Sequence, residues 1–156
     1  MYINSYAKIN FTLEILGKLD DEFHNIKSFM HTINLHDEIS INNSKNLNIE
    51  TSDKTIIQKE NIIYKTILLV KNEFSIKNWV DVVIEKNIPI SAGLAGGSSN
   101  AAATLLSLNK LWKLNLSETQ LINIGALLGS DVPFFIKGGG AVVGGRGEKI
   151  YPISNC

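Results

Sequence analysis

The sequence predicts an α+β fold in which antiparallel strands come first and helices follow. Apolar residues nearly alternate over residues 2–18, as they do in a strand with one buried face. Apolar residues over 61–74 instead repeat with helical spacing. With 156 residues, 44% hydrophobic and 19% charged, the chain has the size and composition of one packed domain.

The first third of the chain is predicted to form strands linked by polar segments. In order these are a strand over 2–18, a polar loop over 18–25, a strand over 26–41 broken near 36–38, a polar turn over 42–48 and a short strand over 47–51. The strand over 2–18 is expected to end at Gly17. Consecutive strands joined by short polar segments favour antiparallel pairing.

The remainder of the chain is predicted to contain three helices and four further strands. The helices are placed at 61–74, 98–111 and 117–129, and the strands at 79–85, 134–136, 141–143 and 149–153. Ser117 and Gln120 have the spacing of a capping box, which marks the start of the third helix. Glycine turns separate the last three strands.

Charge and cysteine content exclude several classes of protein. Fifteen basic and fifteen acidic residues give a net charge of zero, which argues against binding to nucleic acid or to a membrane surface. The single cysteine, Cys156, excludes a disulfide within the chain and a cysteine zinc cluster. No apolar run is long enough to span a membrane, and the N-terminus lacks the pattern of a secretory signal, so we expect a cytoplasmic protein.

A glycine-rich segment from Pro89 to Ala103 carries the main functional signal. Its glycines allow backbone N–H groups to approach an anion, and the following helix N-terminus favours phosphate. Ser98 and Ser99 add hydroxyl groups that can bind phosphate or Mg²⁺. The segment is neither a Walker A loop nor a dinucleotide-binding G-x-G-x-x-G. The alternative is a glycine-rich turn that binds nothing.

Four motifs in order resemble the GHMP kinases, a family of small-metabolite kinases. They are the Pro-x-x-x-Gly-Leu-Ala-Gly-Gly-Ser-Ser loop at 89–99, Ala-Lys-Ile-Asn at 7–10, Phe-His-Asn at 23–25 and Gly-Ser-Asp-Val-Pro-Phe-Phe at 129–135. The resemblance implies the GHMP N-terminal domain, which is ribosomal protein S5 domain 2-like. Its sheet is mixed and mainly antiparallel, with helices on one side and a left-handed βαβ unit, against the general right-handed rule.

This resemblance implies a kinase that uses ATP and Mg²⁺. The residues it assigns to ATP and phosphate binding are Pro89, Gly93, Leu94, Ala95, Gly96, Gly97, Ser98, Ser99, Asn61 and Lys86. Ser99 is also the candidate metal ligand. From the residues alone, Asn61 could equally be a helix cap and Lys86 a solvated side chain.

The resemblance also implies an acceptor site. Asp131 would lie near the acceptor hydroxyl as a base or an orienting group, and Lys8 would pair with it as the second catalytic residue. Asn10, Phe23 and His24 would bind the substrate. Phe23 replaces the family's usual Tyr and loses a hydroxyl group, and a glutamate at position 22 replaces a frequent Gly.

The longer string from Gly93 to Ala102 is similar to one branch of the family. That branch phosphorylates the 2-hydroxyl of 4-diphosphocytidyl-2-C-methyl-D-erythritol, a cytidine diphosphate sugar alcohol, in non-mevalonate isoprenoid precursor biosynthesis. The alternatives are another GHMP kinase of the homoserine or mevalonate type, and a truncated, non-catalytic nucleotide-binding domain.

The resembling kinases have a second half to which nothing in this sequence corresponds. We therefore expect residues 1–156 to be the N-terminal, ATP-binding domain, without the C-terminal domain and with a cleft open on one side. An open face should expose apolar surface, so a homodimer through that face is the expected assembly.

Overall fold

The computed structural model describes residues 1–18, 24–55, 60–145, 147 and 149–153. Phe23 lies outside these ranges, and the side chain of His24 lies outside the described part of the chain. The elements follow in the order β1 (Tyr2–Lys18), β2 (His24–Ser44), β3 (Asn48–Thr51), α1 (Ile62–Glu73), β4 (Trp79–Glu85), α2 (Gly96–Leu111), α3 (Glu118–Leu128), α4 (Val132–Lys137), β5 (Gly140–Gly145) and β6 (Lys149–Pro152).

The long strand β2 is the centre of the sheet. One of its edges pairs with β1 in antiparallel fashion, and its other edge is shared by β5 at 26–31 and β4 at 38–44, both antiparallel. β6 pairs antiparallel with β5, and β3 pairs parallel with β4. The mixed, mainly antiparallel sheet is therefore confirmed. β3, α1 and β4 form a parallel βαβ unit, and the left hand that the resemblance implies for such a unit stays a prediction.

The main core lies between one face of the sheet and the helices. Alternate residues of β2 and β4 are buried in the same cluster as residues of α1, α2 and α3: Ile39, Ile41, Val80, Val82, Ile84, Ile63, Ile67, Leu105, Leu108 and Leu121. Between them along β4, Val83 faces outward and is 47% exposed. A sheet with one buried face and helices packed on it is the arrangement that the alternating pattern predicts.

Local capping confirms two of the predicted helix starts. Asn61 is the N-cap of α1, and its side chain accepts a hydrogen bond from the Ile63 amide at 2.9 Å. Ser117 and Gln120 form the complete capping box of α3. Along the described residues, no helix is both long enough and apolar enough to cross a membrane.

The predicted strand at 134–136 is wrong, because these residues belong to helix α4. Pro133 occupies the first turn of α4, where its fixed φ suits a helix and its missing N–H costs nothing. Gly138 ends the helix with φ 68°, a conformation that glycine adopts readily. A short apolar run does not distinguish strand from helix, and here the flanking Pro and Gly decide.

The predicted break in β2 at 36–38 is also wrong. β2 continues through these residues, with His36 paired to Tyr6, Asp37 to Ser5, and Glu38 to both Asn4 and Glu85. The polar residues that suggested a break are accommodated because Asp37 is buried with hydrogen-bond partners of its own. Several boundaries also differ: β2 runs over His24–Ser44 rather than 26–41, α2 begins at Gly96 rather than at Ser98, and β5 runs over Gly140–Gly145 rather than 141–143.

Several large apolar side chains are exposed on the C-terminal half of β1. Phe11, Leu13, Ile15 and Leu16 are 57–66% exposed, and Phe11 stacks on Phe29 of β2. Some exposed apolar surface is thus present, and homodimer formation stays a prediction.

Candidate active site

The glycine-rich segment leads from β4 into α2 and leaves the start of that helix open. Ala95, the N-cap, has the left-handed values φ 55° and ψ 33°, and its side chain makes no capping hydrogen bond. Unbonded N–H groups in a first helical turn carry partial positive charge and bind anions such as phosphate. The local structure therefore matches the anion-binding role predicted from the sequence.

Packing explains why the helix begins with glycine. A Cβ atom on Gly96 would lie 2.8 Å from Cγ2 of Ile88, closer than real Cβ contacts. The loop is also tied to β1, since the Lys8 amide donates to the Leu94 carbonyl at 3.1 Å. These contacts fix the beginning of α2 relative to the catalytic candidate Lys8.

A cleft of about 590 Å³ lies in front of the helix start. It brings together ten of the residues predicted to form the site: Lys8, Asn61, Lys86, Pro89, Gly93, Ala95, Gly96, Gly97, Ser98 and Asp131. Its volume falls in the range usual for small-molecule sites. Both catalytic candidates and eight of the ten nucleotide-binding candidates thus share one cavity.

Lys8 and Asp131 face each other in this cleft. The Lys8 Nζ atom lies 3.9 Å from Oδ2 of Asp131, and the two side chains are 9% and 28% exposed. The Lys8 ammonium also donates to Asn10 Oδ1 at 2.5 Å. Asn10 in turn donates to the Ser28 hydroxyl at 2.7 Å, so β2 holds the Asn10 amide in one orientation.

Lys86 lines the same cleft and is neither solvated nor free. Its side chain is 9% exposed, and its ammonium forms an ion pair with Asp37, which is fully buried. Asn61 is 7% exposed and combines its capping role with a place in the cleft wall. The solvated alternative for Lys86 is therefore wrong, the helix-cap alternative for Asn61 is confirmed, and both residues line the cleft.

Three predicted residues are placed away from the cleft or only beside it. The side chain of Ser99 is buried, and its hydroxyl accepts a hydrogen bond from Ser5 at 2.7 Å. Neither Ser99 nor Leu94 lines the cleft, whereas Ser98 does. Asn10 joins the site through Lys8. The role of Ser99 as a metal ligand stays a prediction.

Several residues of this region were not among those predicted, and four of them are polar residues with a clear place in the site. Asp37 and Ser28 bind Lys86 and Asn10, respectively, while Glu60 and Asn100 line the cleft. Asn100 is 5% exposed, and its Oδ1 atom has no hydrogen-bond partner among the described residues. A buried, near-alternating strand pattern could have marked Asp37 as unusual, because a carboxylate on such a face requires partners.

The side-chain oxygen atoms in the cleft suit a Mg²⁺ ion that is coordinated mainly by phosphate groups. Within the described ranges, no group of three His, Cys, Asp or Glu side chains could hold a metal ion by itself. Mg²⁺ in phosphoryl-transfer sites is usually bound by one or two carboxylates together with substrate phosphates. Asp131 and Glu60 provide carboxylates in the cleft, and Ser98 provides a hydroxyl group.

An α+β domain with an open helix start, a glycine-rich loop and a Lys–Asp pair in one cleft has the features of a phosphoryl-transfer domain. The chain belongs to the GHMP kinase family, since the family described as GHMP kinases N terminal domain matches residues 61–139. This confirms the family inferred from the four motifs.

Individual relatives agree with this assignment. The chain is 46% identical over 154 residues to a 4-diphosphocytidyl-2-C-methyl-D-erythritol kinase of Clostridioides difficile, covering 97% of this chain and 52% of the relative. It is 47% identical over 159 residues to the protein of that name from Caldicellulosiruptor saccharolyticus, covering 100% and 55%. The chain thus spans about half the length of the curated relatives it matches.

Solved structures have the same fold. A crystal structure of 4-(cytidine 5'-diphospho)-2C-methyl-D-erythritol kinase is 30% identical with a TM-score of 0.84, covering 98% of this chain and 55% of that one. The mevalonate kinase of Methanococcus jannaschii, at 16% identity and a TM-score of 0.74 over 99% of this chain and 56% of that one, shares the fold alone.

Proposed function

We propose that this chain is the ATP-binding half of a kinase that phosphorylates the 2-hydroxyl of 4-diphosphocytidyl-2-C-methyl-D-erythritol. One observation carries the proposal: the Lys8–Asp131 pair and the open start of α2 line the same cleft. The names of the relatives support the choice of acceptor. Each of these relatives is about twice as long as this chain.

The glycine-rich loop would bind the nucleotide phosphates. Backbone N–H groups at the first turn of α2 are free of side-chain caps and point toward the cleft end of the helix, where negative charge is favoured. Lys86 and Ser98 line the same space. Their ammonium and hydroxyl groups would add contacts to phosphate oxygens. When bound, Mg²⁺ supplies neutralisation of phosphate charge, and Glu60 with Ser98 would help hold it.

The Lys8–Asp131 pair would act at the acceptor oxygen. In the transfer, a bond forms between that oxygen and the γ-phosphorus, the bond from the γ-phosphorus to its bridging oxygen breaks, and ADP leaves. The Asp131 carboxylate would take the proton released by the hydroxyl. Lys8, held by Asn10, would stabilise negative charge on the oxygen atoms involved. Asn10, Phe23 and His24 remain the predicted contacts to the acceptor.

The test combines binding and turnover measurements. ADP release by the 156-residue chain is measured with Mg-ATP and 4-diphosphocytidyl-2-C-methyl-D-erythritol, and ATP binding is measured by calorimetry. Asp131→Asn should abolish turnover and keep ATP binding within about threefold. Asp81→Asn serves as the matched control, because Asp81 lies on β4 outside the cleft, bonded to Asn48.

The outcomes separate the alternatives. Turnover with this acceptor but not with homoserine or mevalonate supports the proposed substrate, and the reverse preference overturns it. ATP binding without turnover identifies this chain as a nucleotide-binding domain. Catalysis would then require a region that the longer relatives have in addition to the part matched by this chain. If a folded sample does not bind Mg-ATP, the proposed function of the cleft is wrong.

A further inference from the structure

Asp37 is a buried carboxylate that the phosphoryl-transfer chemistry above does not use. It lies on β2 and is 0% exposed. Burying a carboxylate costs several kcal/mol unless charge and hydrogen bonds compensate for the lost water. Its partners therefore indicate what the residue does.

All the described partners of the Asp37 carboxylate come from one segment, residues 86–88, which connects β4 to the glycine-rich loop. Oδ1 accepts hydrogen bonds from the amides of Asn87 and Ile88, at 2.7 and 2.8 Å. Oδ2 forms the ion pair with the Lys86 ammonium. One carboxylate thus fixes both the backbone and the cationic side chain of this connection.

The backbone that Asp37 fixes is in contact with the start of α2. Ile88 is 2% exposed, and its side chain occupies the space in which a Cβ on Gly96 would lie. A shift of the Ile88 backbone would therefore be transmitted to the first turn of α2. The Asn87 side chain adds a second tie to β2 by donating to the His36 carbonyl at 3.1 Å.

The side chain that Asp37 holds forms part of the cleft wall. Lys86 lines the cleft beside Pro89 and Gly97, although its ammonium is bound by a residue that does not line it. A long lysine side chain has many rotamers, and an ion pair restricts it to few of them. Asp37 thus determines the position of the Lys86 ammonium relative to the start of α2.

We propose that Asp37 is a positioning residue for nucleotide binding: it holds the Lys86 ammonium in the cleft wall and fixes the backbone that enters the phosphate-binding loop. This inference rests on the proposed function, because it requires the cleft to bind a nucleotide. Asp37 itself touches no substrate and acts through Lys86 and Ile88.

Two substitutions separate the ion pair from the backbone contacts. Asp37→Asn retains an acceptor oxygen for the two amides but places an NH₂ group, a donor, opposite the ammonium. Lys86→Met removes the cation and keeps the length of the side chain. The double variant Asp37→Asn/Lys86→Met removes both charges at once and avoids an unpaired buried ion.

The experiment measures calorimetric dissociation constants for Mg-ATP and for adenosine, together with urea unfolding, in the wild type and these three variants. We expect Asp37→Asn and Lys86→Met each to weaken Mg-ATP binding about tenfold and adenosine binding less than twofold. In the Lys86→Met background, Asp37→Asn should change the dissociation constant for Mg-ATP less than twofold, because the effect of Asp37→Asn depends on Lys86. Asp81→Asn, the matched control, should change neither constant.

Other results would overturn the inference. Equal losses of Mg-ATP and adenosine binding, or a tenfold loss that persists in the Lys86→Met background, would assign Asp37 a merely structural role. If Asp37→Asn does not fold, the comparison of the double variant with Lys86→Met decides, and failure of the double variant to fold also overturns the proposal. A folded wild type that does not bind Mg-ATP refutes the proposed function instead, which is a distinct outcome.

The backbone role has its own readout in the Lys86→Met background. Asp37→Ala removes the acceptor of the Asn87 and Ile88 amides, whereas Asp37→Asn keeps it. We expect the alanine variant to exchange these two amide hydrogens at least tenfold faster than the asparagine variant and to bind Mg-ATP more weakly. Equal exchange rates and equal affinities in the two variants would refute this part of the proposal.

Discussion

Gly96→Ala should destabilise the protein and weaken nucleotide binding, although alanine is the better helix former. The new methyl group would lie 2.8 Å from Cγ2 and 3.1 Å from Cβ of Ile88. Both atoms belong to the stiff, branched base of that side chain next to the backbone, and Ile88 is 2% exposed, so it has little space to move. The strain must therefore move the first turn of α2 or the Ile88 backbone.

The expected magnitude follows from two opposing effects. Overpacking a buried site costs about 1–3 kcal/mol. Replacing glycine by alanine in a helix contributes up to about 1 kcal/mol of stabilisation, and less in the first turn. We therefore expect Gly96→Ala to lower the free energy of unfolding by about 1–2 kcal/mol, measured by urea denaturation with tryptophan fluorescence.

The neighbouring glycine provides a matched control. A Cβ on Gly97 would have Ile62 Cγ2 at 3.9 Å as its nearest neighbour, an ordinary contact. Gly97→Ala should therefore leave the free energy of unfolding unchanged within about 0.5 kcal/mol, or raise it. If the Gly96 and Gly97 variants were equally stable, the packing argument for glycine at position 96 would be refuted.

A second-site change tests the same contact from the other side. Ile88→Ala alone should lower the free energy of unfolding by about 2–5 kcal/mol, because it leaves a cavity. Combined with Gly96→Ala, the loss should be smaller than the sum of the two single losses, since the added methyl group enters the vacated space. Strict additivity would contradict a direct contact between these positions.

Three further perturbations test other parts of the structure. Ser28→Ala leaves the partly buried amide of Asn10 without its acceptor and should lower the free energy of unfolding by about 1–2 kcal/mol in urea denaturation. A loss below about 0.5 kcal/mol would contradict the contact. Ser117→Ala removes the capping box of α3 and should lower the free energy of unfolding by about 1 kcal/mol. Replacing an exposed serine that caps no helix by alanine should leave it unchanged. The side-chain hydrogen bond from Thr55 holds the pKa of Asp53 below its ordinary value of 3.8. This contribution to stability is present above pH 3.8 and is lost as the pH falls through the lowered pKa. An NMR titration should show a lowered midpoint for Asp53 in the wild type and a higher one in Thr55→Val. An unchanged midpoint in Thr55→Val would show that the Thr55 hydroxyl does not lower the pKa of Asp53.

The resemblance and the local patterns of the sequence accounted for most of the elements around the cleft. β4 was placed at the correct residues, and the starts of α1 and α3 could be found because a cap lies within three residues of the amide it binds. The glycine-rich loop was likewise recognisable, since its composition reflects a local requirement for close approach to an anion. These signals depend on residues adjacent in the chain.

The tertiary structure alone decided the features that depend on distant partners. The residues of α4 are apolar and aromatic enough for a strand, and helical packing between Pro133 and Gly138 overrides that preference. Asp37 suggested a break in β2, yet it is held in place by Lys86 and the amides that follow, some fifty positions further along the chain. Hydrogen bonds and ion pairs of this kind depend on where folding brings the partners together, and no local periodicity encodes that distance.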